Sequence, residues 1–191
     1  MSRAFFVFLS MVASLVLGLG STYLLADRGL EFGVVRSGPW VANLRAANDP
    51  DPYVRAHSAK TGEIALALAE GIRLKATASD DGRPLVGNCS YIIAGNTPQS
   101  RFWTIFLESK DGVTIENDIH RNGFTSSEIL RDETGRWSIF LNQAMTAGNW
   151  QPLISSDNFS LVLNLYEPTI LGGTSAIQRD KLPYIKRIKC N

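Results

Sequence analysis

The sequence predicts a mainly β domain, an antiparallel β-sandwich or jelly roll with one short helix, carried behind an N-terminal transmembrane helix. Three observations predict it. Residues 4–26, AFFVFLSMVASLVLGLGSTYLLA, contain no charge. From residue 63 onward, apolar and polar side chains alternate with period two in several runs, the pattern of strands with one buried face. Turn dipeptides separate these runs at intervals of about ten residues, which suits a sandwich and not a βα alternation.

The apolar segment comes first. As a helix it would reach ~34 Å, enough to cross a hydrocarbon core of roughly 30 Å. A cleaved signal peptide has an apolar stretch of only about 7–15 residues before a small-x-small site. The nearest such site here is Leu24-Leu25-Ala26, where bulky Leu24 occupies a position that wants a small residue. Residues 1–26 therefore read as an uncleaved signal-anchor, with a cleaved signal or a buried core helix as alternatives. It is the one run long enough to span, so the protein reads as single-pass.

Orientation is contested within the sequence. Arg3 lies on one side of the span and Arg28, Arg36 and Arg45 on the other, and the positive-inside rule then favours a cytoplasmic domain. A short tail before the apolar run has instead the layout of a signal-anchor that exports the downstream domain. Two cysteines, an even number, suit an oxidising compartment. The reading adopted is an inner (cytoplasmic) membrane protein with its domain on the periplasmic side.

Residues 27–48 read as a connecting segment, punctuated by Gly29, Gly33, Gly38 and Pro39. Residues 49–191 read as the β-sandwich domain. A short helix is expected at its start: Asp49 or Asp51 can cap, Pro52 suits the first turn and Gly62 provides a stop. Tyr53 and His57 would share one face of it. Period-two runs come next, at IRLKATA (72–78), VTIENDI (113–119), RWSIFLN (136–142) and FSLVLNLY (159–166). CSYIIAG (89–95) and YIKRIKC (184–190) are strand-like, and FWTIFLE (102–108) is apolar on both parities, as in a strand covered on both sides. Turn signals fall at Asp81-Gly82, Gly95-Asn96, Asp111-Gly112, Thr134-Gly135 and Gly172-Gly173.

Cys89 and Cys190 invite two readings. Bonded, they close a loop of about 100 residues, for which the chain-entropy model gives roughly 4–5 kcal/mol. Otherwise Cys89 is a core thiol and Cys190 a thiol on a frayed tail. There is no CxxC, so neither a zinc site nor a thioredoxin-like motif is expected.

Composition excludes some functions. A net charge of +1 without basic runs leaves no electrostatic case for nucleic acid. The two histidines, His57 and His120, are weak site candidates, since metal sites want several histidines converging with a carboxylate such as Asp118. No GxSxG elbow, GxGxxG turn or Walker loop occurs, so no catalytic residue and no cofactor is assigned. Carboxylate pairs can be drawn from Glu108, Glu116 and Asp118, as on any β domain. Trp103, Phe106, Trp137 and Phe140 lie on strand patterns, where core packing is the default.

The stretch GNWQPLISSDNFSLVLNLYEP (148–168) resembles the signature of the domain-of-unknown-function family 1214. There an Asn-Trp-x-Pro turn leads through a small-polar loop to a Phe-x-Leu strand ending in Arg/Asn-x-Tyr-x-Pro. GPWVANLRAANDPDPYVRAHSAKTGEIAL (38–66) and DGRPLVGNCSYIIAGNTPQSRFWTIFLESKDG (81–112) are similar to short, membrane-anchored bacterial members, so the resemblance covers residues 38 to 190. It implies a sandwich of jelly-roll type and an envelope setting, and no activity. Gln151 departs from a common Leu, and the usual Trp after Pro168 is missing.

Within that signature, Asn149, Trp150, Pro152 and Tyr166 suggest a structural corner with Trp150 packed beneath the sandwich. The alternative is a ligand groove lined by Trp150, Tyr166 and Trp103. Two functional readings remain. One is a membrane-tethered envelope domain, with the bilayer as partner through residues 4–26, that binds an envelope protein or glycan or supports the envelope. The other is a hydrolase or isomerase whose site assembles only in three dimensions.

Overall fold

A computed structural model describes residues 3–28, 34–44, 52–62, 66–67, 70–96, 100–154, 157–168 and 177–190. Asp49, Asp51 and the Gly172-Gly173 turn lie outside the described residues. Helix α1 (Arg3–Arg28) runs past Ala26, and it is the one described helix long and apolar enough to cross a membrane. Its small hydroxyls are satisfied within the helix: Ser10 donates to Val7 O, Ser14 to Met11 O, and Ser21 and Thr22 to Gly18 O. In hydrocarbon no water could serve them.

The strands are β1 (Val34–Ser37), β2 (Trp40–Asn43), β3 (Gly71–Ala76), β4 (Cys89–Gly95), β5 (Ser100–Ser109), β6 (Gly123–Thr125), β7 (Trp137–Asn142), β8 (Asn149–Pro152), β9 (Phe159–Pro168) and β10 (Tyr184–Cys190). Helix α2 (Pro52–Thr61) lies between β2 and β3, and Gly62 ends it at φ +70°. A six-stranded sheet has the order β1-β2-β3-β9-β5-β6 and a four-stranded sheet the order β10-β4-β7-β8. The chain crosses repeatedly between the two, an arrangement compatible with a jelly roll.

The core lies between the sheets. Leu74, Leu163 and Ile105 form one cross-strand row and are buried. Trp103 of β5 stacks on Trp137 of β7 with ring centres 4.8 Å apart, joining one sheet to the other. Tyr91 of β4 meets Phe159 of β9 edge-on. Such pairs add about 0.5–1.5 kcal/mol beyond the area they bury.

Four expectations are corrected. The segment read as a connection supplies β1 and β2: Gly38 at φ +60° and Pro39 form the two-residue loop of a hairpin. Trp40 behind that loop is fully buried and donates its indole N–H to Pro183 O at 2.7 Å. Gly38-Pro39 marks a hairpin turn, while Gly29 and Gly33 lie outside the described residues. Second, the sandwich is not wholly antiparallel, because β8 pairs with β7 in parallel. Third, VTIENDI does not continue as a strand; only Thr114 bridges, to Glu108. Asn117 instead closes a local loop, its amide bonding both the N–H and the C=O of Arg121, as Asn side chains do at turns. Fourth, the outer face of β5 is only partly covered: Phe102, Thr104 and Phe106 are half-buried there, and Glu108 is buried.

Candidate functional site

The signature strand β8 turns its polar residues inward. Its partners in β7 are Ile139 for Asn149, Phe140 for Trp150 and Leu141 for Gln151. Ile139 and Leu141 are core residues, so Asn149 and Gln151 face inward and Trp150 lies outside beside Phe140. Asn149 is buried and saturated: it donates to Leu130 O at 2.8 Å and Ser138 O at 2.9 Å and accepts from Leu130 N–H at 2.8 Å. Gln151 donates to Arg121 O. Trp150 is half-buried, its indole N–H donating to Asn142 O at 3.2 Å. The Asn149 and Gln151 amides bond neighbouring loops, and Trp150 is not packed beneath the sandwich.

The three aromatics imagined around a groove do not meet. Trp103 is wholly buried between the sheets. Tyr166 lies against Phe102 on the outer face of the six-stranded sheet, ring centres 5.8 Å apart. Trp150 belongs to the outer face of the other sheet.

His57 falls on α2, and its side chain lies outside the described residues. His120 is exposed in a turn at φ +53°, its N–H donating to Asn117 O. Glu116 and Asp118 are exposed on the same loop. Among the described residues no three His, Cys, Asp or Glu side chains gather as metal ligands would. Cys89 and Cys190 are joined across β4 and β10, where they stand opposite each other in register. Cys89 is buried and Cys190 exposed, so the bond fastens the end of edge strand β10 to the body of the sheet. Arg187 of β10 adds a second fastening, donating to Pro84 O and lying over the Tyr91 ring.

The structure does bring together residues that sequence reasoning left scattered. On the outer face of the six-stranded sheet, Glu108 of β5 is only 3% exposed. It accepts from the Arg73 guanidinium and stands 3.3 Å from Lys75 Nζ, both cations coming from β3. Arg73 also lies 5.7 Å from the centre of the Phe106 ring. A buried carboxylate held by two cations is the condition under which such a charge is tolerated. Glu108 pairs across the strands with Ser160 of β9, which is also buried.

Lys75 and Ser160 form part of the wall of an open cleft of about 410 Å³, completed by Thr77, Ala78, Gly82, Pro84, Lys110, Asn158 and Phe159. That volume is typical of small-ligand sites. The lining carries two ammonium groups and no carboxylate. With Arg73 and Glu108 behind it, three cations face one anion. A smaller, more apolar cleft of about 140 Å³ shares Lys110, Asn158 and Phe159 and adds Ile115, Leu153 and Ile154 together with two carboxylates, Asp111 and Asp157. The larger cleft alone offers ammonium, hydroxyl and amide donors without a carboxylate, and the smaller one places an apolar surface and two aspartates beside it. Polar residues at alternate positions of β3 and Glu108 at the end of β5 were visible in sequence; their adjacency through β9 was not.

Two turns near the sites hold carboxylates below the usual aspartate range. Asp132 is lowered chiefly by the Thr134 hydroxyl at 2.6 Å and also by backbone N–H groups of Arg136 and Thr134. Asp81, in the turn beside the cleft, is lowered chiefly by the Ser79 hydroxyl and then by the Arg83 N–H.

Comparison with known proteins places this architecture. The VPA0106 protein from Vibrio parahaemolyticus superposes with a TM-score of 0.60 at 17% identity, over 90% of this chain and 43% of that one. The likeness is one of fold, and this chain spans less than half the length of that protein. An uncharacterized protein from Burkholderia cenocepacia gives a TM-score of 0.44 at 16% identity, covering 64% of this chain and 30% of its own. No curated protein matches. The model of the family described as "Protein of unknown function (DUF1214)" matches residues 70–170, from the start of β3 through the end of β9. That is more than half of the 191 residues and includes the strands that build the cleft and the corner, and the chain belongs to the DUF1214 family.

Proposed function

We propose that this is a single-pass protein of the bacterial inner membrane, tethered by α1, that exposes its sandwich to the periplasm as a binding domain. The observation that carries the reading is α1 itself: Arg3–Ala26 is long enough and apolar enough to span, and its large apolar side chains are exposed. An apolar helix left bare needs an apolar solvent. The Cys89–Cys190 bond supports export, because disulfides persist in oxidising compartments. The basic cleft is the binding site in this reading. It suits an envelope component bearing a carboxylate or phosphate, such as an acidic glycan.

Fractionation tests the tether. The full chain should stay with membranes through carbonate and high-salt washes, and a mature N-terminus at Asp27 would end the proposal. Thiol alkylation without reduction tests the export: neither cysteine should label in freshly lysed cells. For the cleft, glucuronate should bind the full chain in nanodiscs where glucose does not, and Lys110→Gln should weaken glucuronate several-fold. Equal binding of both sugars would remove the cleft from the proposal while leaving the tether standing.

A further inference from the structure

We infer that α2 is a second membrane contact, lying in the headgroup layer and binding anionic lipid headgroups through Arg55 and Lys60; this rests on the tether proposed above. The uncharged run begins at Ala4. A hydrocarbon core of about 30 Å takes roughly 20 helical residues. With Arg3 at one boundary, the other boundary falls near Tyr23, and tyrosine is a residue type that collects at membrane interfaces. Lys60 Nζ stands 5.9 Å from the centre of the Tyr23 ring, and α2 packs against α1. The C-terminal end of α2 is therefore at headgroup level.

Arg55 lies one and a half turns earlier, about 7.5 Å along the helix. One headgroup layer is ~5–7 Å thick, so the long arginine side chain keeps its guanidinium within reach of lipid phosphates. Among the described side chains of α2, Pro52, Arg55, Ala56, Ala59 and Lys60 are exposed, whereas Tyr53, Val54 and Ser58 are half-buried. The exposed set falls at i, i+3, i+4, i+7 and i+8, one continuous face. It presents two cations and no carboxylate, and basic side chains at headgroup level are attracted to an anionic bilayer surface. Docked this way, α2 restricts how the sandwich can swing about the end of α1.

The test uses the full chain in nanodiscs of phosphatidylcholine alone and of phosphatidylcholine with one-quarter phosphatidylglycerol. Each basic side chain near an anionic surface contributes about fivefold to binding. Hydrogen exchange across residues 52–61 should therefore be slower in the anionic discs by on the order of tenfold. Strand β9 should exchange equally in both discs. The double variant Arg55→Gln/Lys60→Gln keeps helix propensity and should bring the ratio between discs to about one. A wild-type ratio of one overturns the inference, as does a variant that retains the wild-type ratio. Failure of the tether is a separate result, since a chain that does not insert yields no disc-bound protein at all.

Discussion

Strands β8 and β9 come from one continuous signature, yet they are held in opposite ways. β9 sits in the middle of the six-stranded sheet, paired along most of its length with β3 and β5. Its Leu161, Leu163 and Leu165 fill the core. β8 is a short edge strand, paired on one side only and in parallel with β7. It turns Trp150 outward and buries two amide side chains. A short edge strand has few ladder bonds, and the Asn149 amide supplies three side-chain bonds in their place. Hydrophobic burial holds the centre of this sandwich, and directed hydrogen bonds hold its edge.

The largest effect should come from the centre. Leu163→Ala opens a cavity where Leu74 and Ile105 meet it, and should lower stability by about 4 kcal/mol in a denaturant melt. A loss near 1 kcal/mol would mean that the centre is no better packed than the edge. Next comes Asn149→Ala. It leaves the Leu130 N–H and C=O and the Ser138 C=O without their side-chain partner, which should cost about 2–3 kcal/mol. Asn149→Asp cannot rescue it, because a carboxylate cannot donate to the Leu130 and Ser138 carbonyls. A melt unchanged by Asn149→Ala would dissolve the distinction between the two strands.

Trp150→Ala should cost only about 1 kcal/mol, since the side chain is half-buried and loses one hydrogen bond to Asn142 O. A loss of 3 kcal/mol or more, the range of buried large aromatics, would restore the packed corner that the sequence suggested.

The smallest effect is in acid. Asp132 shapes the loop that Asn149 grips at Leu130, and its carboxyl is held below the ordinary 3.8. A lowered folded-state value means that its contribution is present above pH 3.8 and fades as pH falls through the lowered value. The Thr134 and Arg136 amide signals should therefore titrate with a midpoint below 3.8, while those of β9 stay fixed. A midpoint at or above that value would show the turn to be unsupported.

Much of the fold is legible in the chain alone, and the reason is locality. Alternation over IRLKATA, RWSIFLN and FSLVLNLY is a property of each strand alone, so β3, β7 and β9 could be placed from their own residues. The uncharged run of residues 4–26 likewise contains its own evidence for a spanning helix. Pairing is not local. Nothing in GPW announces that Trp40 reaches Pro183, and four residues of NWQP are too few to reveal which parity faces the core. Lys75 and Glu108 become neighbours only because β9 lies between β3 and β5. The sequence by itself determined the β class, the long apolar N-terminal helix and most of the strands. The tertiary structure alone decided sheet order, the inverted face of β8 and the lysine-lined cleft, because each depends on contacts between segments far apart in the chain.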